Sequence, residues 1–192
     1  MEGDGKTVLL ITGNAGKYRE AARIAEGYGI GVKMLDYPKI EIQSNSNEHV
    51  SMVAALLAYS HLGAPLVVED SGIFINALNG FPGVLAHFIK GGIGIEGVLK
   101  LMEGKKDRSA FFKAAVSYVD NDAVKCFTGI CRGSISRKEI GEPEESLPFD
   151  SVFMPEGSKV TFAEMGVDEK SRYSHRAEAF KKLFAYLKED RS

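Results

Sequence analysis

The stretch Thr7-Val8-Leu9-Leu10-Ile11-Thr12-Gly13-Asn14-Ala15-Gly16-Lys17 decides the fold. Its first half is short, apolar and rich in β-branched residues, which reads as a buried strand. Gly13-Asn14 breaks that run. From Ala15 to Tyr28, apolar Ala22, Ile24 and Ala25 sit among charges, and Gly27 and Gly29 close the segment. That pattern predicts a helix. Val32 to Leu35 predicts a second strand. A strand, a tight turn, a helix and another strand in succession open an α/β fold.

Working outward, Asn47 to Leu62 is rich in Ala and Leu and predicts a second helix, stopped by Gly63 and Pro65. Leu66 to Val68 predicts a buried strand that ends in Glu69-Asp70-Ser71-Gly72. A loop of Gly and Pro, Asn79-Gly80-Phe81-Pro82-Gly83, leads into a short helix, and Ile95 to Met102 predicts another. Ala110 to Val119 and Ala123 to Ile135 predict two long strands, with Asn121-Asp122 as the hairpin turn between them. Thr161 and Glu164 have the spacing of a capping box at a helix start. Ser174 to about Leu187 predicts a last amphipathic helix, with Ala177, Phe180, Leu183, Phe184 and Leu187 on one face.

A chain of 192 residues, 44% of them hydrophobic, fits one domain over residues 1–192, with room for two lobes around a cleft. Lys and Arg number 24, Asp and Glu 26, for a net charge of -2. That balance speaks against a nucleic-acid surface, which needs an excess of basic side chains. A small anionic substrate needs only local positive charge. Cys126 and Cys131 are the only cysteines, too few for a disulfide framework or a structural zinc site, and both read as small apolar residues in or beside a strand. The opening Met1-Glu2-Gly3-Asp4 lacks a secretory pattern, and apolar runs such as Val53 to Tyr59 are far shorter than a membrane span. A cytoplasmic protein without a membrane partner is expected.

Thr12 to Lys17 lies at the junction of the first strand and helix. A helix start offers unpaired N–H groups and a positive dipole end, which favour an anion. Thr12, Asn14 and Lys17 could serve a phosphate there, or the turn could be a plain one with Asn14 as cap. It is not a Walker loop, because Tyr18 follows Lys17 where Ser or Thr is required. Glu69 and Asp70 stand at the expected carboxyl end of a strand, where open α/β sheets bind ligands. Two adjacent carboxylates there can hold magnesium or polarise a water. Glu41, in a polar loop after the second strand, could reach the same edge or remain a solvated acid. Ser174-His175-Arg176 and the nearby Lys170 offer hydrogen-bonding groups for a polar ring or phosphate, or simply a capped, exposed helix start. Gly92-Ile93-Gly94-Ile95-Glu96-Gly97 fits a dinucleotide pattern but follows no expected strand. His49, His61 and His87 are not at metal-ligand spacing, and His49 and His61 read as surface or helix-edge residues.

Four blocks in order give the chain a family resemblance: TGNAGK at 12–17, VEDSG at 68–72 with ALNGFPG at 77–83, FDSVFMPEG at 149–157, and TFAEM with EKSRYSHR within 161–176. Together they resemble the inosine triphosphate pyrophosphatase family, which removes non-canonical purine nucleoside triphosphates. The resemblance implies an elongated mixed sheet flanked by helices, two lobes around a central nucleotide-binding cleft, and a homodimer. It implies that Thr12, Asn14 and Lys17 contact the triphosphate, with Ser71 beside them. Asp70, with Glu69, would act on the water, and Glu41 and Asp70 would bind Mg2+. Phe149, Asp150, Lys170, Ser174, His175 and Arg176 would form the base pocket. A 6-keto oxygen would suit donors from His175 or Arg176, whereas the 6-amino group of adenine would leave them unpaired.

This chain also departs from the family pattern. Leu147-Pro148-Phe149-Asp150-Ser151 replaces an aromatic–Gly–aromatic–Asp–Pro stretch, so only Phe149 remains of the aromatic pair. The helix at 47–62 has no lysine, His87 stands where a basic residue often follows the PG loop, and Ser171 replaces a usual Asn. The altered 147–151 segment motivates an alternative substrate class, modified pyrimidine or methylated nucleotides. The missing lysine and aromatic motivate a second alternative, a nucleotide-binding protein without turnover.

Overall fold

The computed structural model describes residues 7–143 and 147–189; the acidic opening Met1-Glu2-Gly3-Asp4 lies outside them. The elements in chain order are β1 (Thr7–Ile11), α1 (Ala15–Glu26), β2 (Gly31–Leu35), α2 (Asn47–Leu62), β3 (Leu66–Ile75) and β4 (Pro82–Gly83). They continue with α3 (Ala86–Gly91), α4 (Gly94–Leu101), β5 (Ser109–Val119), β6 (Val124–Ile135), β7 (Phe153–Pro155), α5 (Val167–Tyr173) and α6 (His175–Glu189). The described strands form one mixed sheet in the order β2-β1-β3-β5-β6-β7, with β4 on β3. β1 runs parallel to β2 and β3, while β4 and β7 pair antiparallel with β3 and β6. The α/β class read from the first strand, turn and helix is the observed one. Among the described residues no helix is long and apolar enough to cross a membrane.

The chain divides into two compact units, one of residues 1–70, 114–129 and 176–192, the other of 71–113 and 130–175. In the first unit, strand parity sorts the core into two layers, because successive side chains leave a strand on opposite faces. Val8, Leu10, Val67, Ala114, Val116 and Tyr118 meet α1 and α6 through Ala21, Ala25, Phe180, Leu183, Phe184 and Leu187. Ile11, Leu66, Val68 and Val119 meet the other side, where α2 supplies Ala54, Ala55 and Ala58. The apolar face expected on the last helix is the one buried against the sheet. Small residues let α2 lie close, and the buried hydroxyls of Ser51 and Ser117 meet at 2.8 Å. Ser46 caps α2 by accepting from the His49 N–H, and Gly63 closes it in the left-handed conformation that the missing side chain permits.

The second unit has its core on one face. Ile73, Ile75, Ala110, Phe112, Ile135 and Phe153 pack under Ile89 of α3, Ile95 and Val98 of α4, and Phe149 and Phe162. The other face carries the stacked pair Phe74 and Phe111, and a concavity of about 460 Å³ bordered by Phe111, Arg132, Ser134 and Met154. Cys126 and Cys131 are free thiols on β6, as expected of small strand residues. Gly92 to Gly97 runs from the end of α3 into α4, so its glycine pattern follows no strand.

β3 departs most from expectation. Glu69-Asp70-Ser71-Gly72 was expected to end the strand, and instead lies inside a strand of 10 residues. The parallel ladder to β1, however, stops at Ile11 with Val68. Glu69 and Asp70 therefore lie just past the end of β1, and the carboxyl-edge argument holds for β1 rather than β3. Beyond them the strand pairs with β4, through Ile73 with Gly83 and Phe74 with Pro82. Gly72 is needed for that approach, since a side chain would place Cβ 2.3 Å from the Gly83 carbonyl oxygen. The capping-box pair is real, with the Thr161 N–H donating to Glu164 at 2.8 Å, but it opens a 3-10 turn at 162–164 rather than an α-helix. α5 was not expected; its short 7-residue span carries no apolar periodicity to read.

Candidate active site

The first unit gathers the Thr12 to Lys17 loop and the two strand acids. Asn14 is the N-cap of α1, and its Oδ1 accepts from the Lys17 N–H at 3.0 Å. Thr12 Oγ1 accepts in turn from the Asn14 N–H at 3.0 Å. The cap reading of this loop is the observed one, and with its oxygen used as an acceptor the Thr12 hydroxyl keeps its proton to donate at the positive end of the helix. Lys17 reaches Glu69, with Nζ 2.6 Å from Oε2.

Glu69 and Asp70 are neighbours in a strand, so their side chains leave opposite faces. Glu69 faces α1 and α6. It is 4% exposed and holds two cations, Lys17 and the Arg176 Nε at 3.1 Å. Arg176 is also paired with Glu20 of α1, 2.7 Å from Nη1. Burial alone would lower the Arg176 pKa, but the carboxylates of Glu69 and Glu20 outweigh it and raise it, so the guanidinium stays charged.

Asp70 faces α2 instead, where Asn47 Nδ2 donates to Oδ2 at 2.7 Å. Burial pushes its carboxyl up to about 6, against the lowering effect of Asn47 and Lys17, and the charge of Glu69 adds to the rise. The adjacent acids are thus unlike. Glu69 is a neutralised anchor, and Asp70 is a desolvated carboxylate poised to take a proton near neutral pH.

Among the described residues no group of three or more His, Cys, Asp or Glu side chains stands ready to hold a metal ion. Glu41 is exposed and paired with Lys39 at 2.5 Å. Asp70 nevertheless has the chemistry a hard cation prefers, and beside it the Oδ1 of fully buried Asn47 finds no partner among the described residues. Mg2+ commonly uses one or two carboxylates and leaves its other positions to water and substrate phosphates. The donor set therefore fits such an ion without a preformed cage.

The second unit holds Asp150, Lys170, Ser174 and His175. Asp150 is buried on the 3-10 turn 148–151 and forms a short ion pair with Lys170 of α5. The Lys170 ammonium also lies 5.5 Å over the Phe162 ring. The Ser174 N–H donates to the Lys170 carbonyl at 2.9 Å and ends α5. His175 is 5% exposed, and its ring stacks on Phe112 at 4.7 Å with the planes 7° apart. Phe149 is 4% exposed and belongs to the core, so most of its surface is already covered. Ser151 lies buried, and its hydroxyl donates to Glu139 at 3.1 Å and to the Pro148 carbonyl at 3.0 Å. Arg176, expected with this set, opens the last segment of the first unit and pairs with its acids. Ser71 is half-buried on β3, the first residue of the second unit.

The model of the Ham1 family matches residues 8–186. This chain belongs to the Ham1 family. It is 46% identical over 183 residues to a dITP/XTP pyrophosphatase of Saccharolobus solfataricus, covering 95% of this chain and 94% of that one. It is 44% identical over 182 residues to a dITP/XTP pyrophosphatase of Methanopyrus kandleri, covering 94% and 96%. Among solved structures, a HAM1 protein from Coxiella burnetii matches with a TM-score of 0.84 at 27% identity, over 96% of this chain and 99% of that chain.

Two residues of this Ham1 chain escaped the sequence reading. Glu20 looks like an ordinary helix acid, and only the return of α6 beside α1 gives it Arg176 as partner. Asn47 looks like a second cap beside Ser46, since Asn favours helix starts in any case. Its contact with Asp70 crosses 23 positions, which no local pattern reveals.

Proposed function

We propose that this chain hydrolyses dITP, ITP and XTP at the α–β phosphoanhydride bond, releasing the nucleoside monophosphate and pyrophosphate. The observation that carries the reading is the 46% identity, over 95% of the chain, to a dITP/XTP pyrophosphatase. The chemistry of each unit supports it, and we take residues 1–192 as one functional domain.

In the proposed reaction, Thr12, Asn14, Lys17 and the start of α1 bind triphosphate oxygens, assisted by Ser71. Asp70 orients the attacking water and accepts its proton. As the new phosphorus–oxygen bond forms, the α–β bridging bond breaks and its electron pair leaves with pyrophosphate. Without a cation this carboxyl titrates at about 6, so its burial makes it more basic than an ordinary aspartate. Mg2+ on the same carboxylate would hold it ionised to lower pH, so the fall of kcat in acid is expected to begin below pH 6. Glu69 holds Lys17 and Arg176 in place rather than sharing the proton. Mg2+, bound by Asp70 and Glu41, would neutralise charge developing on the phosphates and make water more acidic. The Lys39–Glu41 pair is exposed enough to exchange partners at little cost.

Asp150, Lys170, Ser174 and His175 are assigned to the base. Donors from His175 and Lys170 suit a 6-keto purine, and the 6-amino group of adenine would leave them unpaired. The burial of Phe149, with Leu147 in place of an aromatic, keeps modified pyrimidine nucleotides as the second substrate reading. We also propose a homodimer, for which light scattering should return twice the chain mass.

A panel of dITP, XTP, ITP, GTP, ATP and a modified dCTP, each with Mg2+, tests the assignment. The expected order places dITP, ITP and XTP at least about 100-fold above ATP in kcat/KM. Preferential cleavage of the modified pyrimidine would transfer the reading to the second class.

A further inference from the structure

Asn47 is fully buried at the start of α2, directly after its Ser46 cap. One end of its amide is used, with Nδ2 donating to Asp70 Oδ2 at 2.7 Å. The other end, Oδ1, has no hydrogen-bond partner among the described residues. A buried polar atom left unsatisfied is costly, and an apolar side chain of similar size would avoid the cost. The amide cannot simply turn round, because an ionised carboxylate only accepts and Oδ1 would then face it without a proton between them. Nδ2 therefore stays on Asp70, and Oδ1 looks from the other side of the same planar group.

We propose that Oδ1 of Asn47 is a further oxygen ligand of the divalent cation that Asp70 binds. This inference rests on the reading of Asp70 as a cation ligand. Amide carbonyl and carboxylate oxygens are the donors that hard cations take. With one end Asn47 fixes the Asp70 carboxylate, and with the other it adds a donor at a set position beside it. Because the amide is rigid, the orientation of Asp70 and the placement of the added donor are one arrangement. Ser46 contributes by capping α2, and Glu48 is engaged by the Ser46 hydroxyl at 2.8 Å, which leaves Asn47 as the residue of this turn directed at Asp70.

The test is Mn2+ binding to the full chain without nucleotide, by calorimetry and by the electron paramagnetic resonance signal of free Mn2+. Wild type is compared with Asn47→Leu, which keeps volume but removes both polar ends, and Asn47→Asp, which keeps an oxygen and removes the donor. Asn47→Leu is expected to weaken Mn2+ binding about tenfold or more, the effect typical of residues supporting a metal site. Asn47→Asp is expected to bind Mn2+ at least as tightly as wild type. Circular dichroism and thermal unfolding in chelator establish that the variants fold, and Asn47→Ala replaces Asn47→Leu if it does not. Equal affinity in all three proteins overturns the ligand role, as does equal weakening in both variants. Absence of Mn2+ binding to wild type overturns it as well. Cleavage of dITP by wild type is assayed separately, so intact turnover with a failed binding result sinks this inference and leaves the proposed function standing.

Discussion

Glu69 and Asp70 are consecutive acids with opposite energetic signs. Glu69 is buried between Lys17 and Arg176, and removing it takes that partner from Lys17 and leaves buried Arg176 with Glu20. Glu69→Ala should lower stability by about 3–5 kcal/mol, measured by urea unfolding. Asp70 titrates at about 6 in the fold, above its unfolded value, so between the two the folded state holds a proton that the unfolded chain lacks. Its contribution to stability is full below about pH 4 and is lost as pH rises through 6. Asp70→Asn should therefore match wild type near pH 4 in chelator and exceed it at pH 8 by up to about 3 kcal/mol. The same variant should lose about 10²–10⁴-fold in kcat. A gain in stability coupled to a loss of turnover marks a group kept for chemistry. Sequence alone marked both acids for the site but could not divide their roles, because the division depends on which helix lies over which face of β3.

At the scale of elements, the legible features were those written in local pattern. The break at Gly13-Asn14, the span of α2 and the apolar face of α6 follow from turn chemistry and periodicity, and each stands where it was expected. β3 was misread because Glu69-Asp70-Ser71-Gly72 looks like a turn. Tertiary partners for both acids, and β4 alongside, keep it extended. Its continuation depends on Gly72, where a Cβ would meet the Gly83 carbonyl oxygen at 2.3 Å and the carbonyl carbon at 2.7 Å. Backbone atoms cannot swing aside as a flexible side chain would. Gly72→Ala should cost about 1–3 kcal/mol, read as a lower Tm. Ser46→Ala, which removes the cap of α2, should cost about 1 kcal/mol.

For the whole molecule, ordered motifs carried more than composition did. A net charge of -2 set aside a nucleic-acid surface but was silent on a site whose cations, Lys17 and Arg176, are locally paired with acids. The four blocks, read together, anticipated the Ham1 family. They did not anticipate that Arg176 would anchor Glu69, since that pairing crosses 107 positions. The central claim is that one water is added across the α–β bond with Asp70 as proton acceptor. Phosphorus-31 nuclear magnetic resonance of dITP incubated with the protein and Mg2+ tests it most directly. Signals of the monophosphate and pyrophosphate, appearing together with wild type and at least about 100-fold more slowly with Asp70→Asn, are the predicted result. Orthophosphate with dIDP, or undiminished pyrophosphate release by Asp70→Asn, would contradict it.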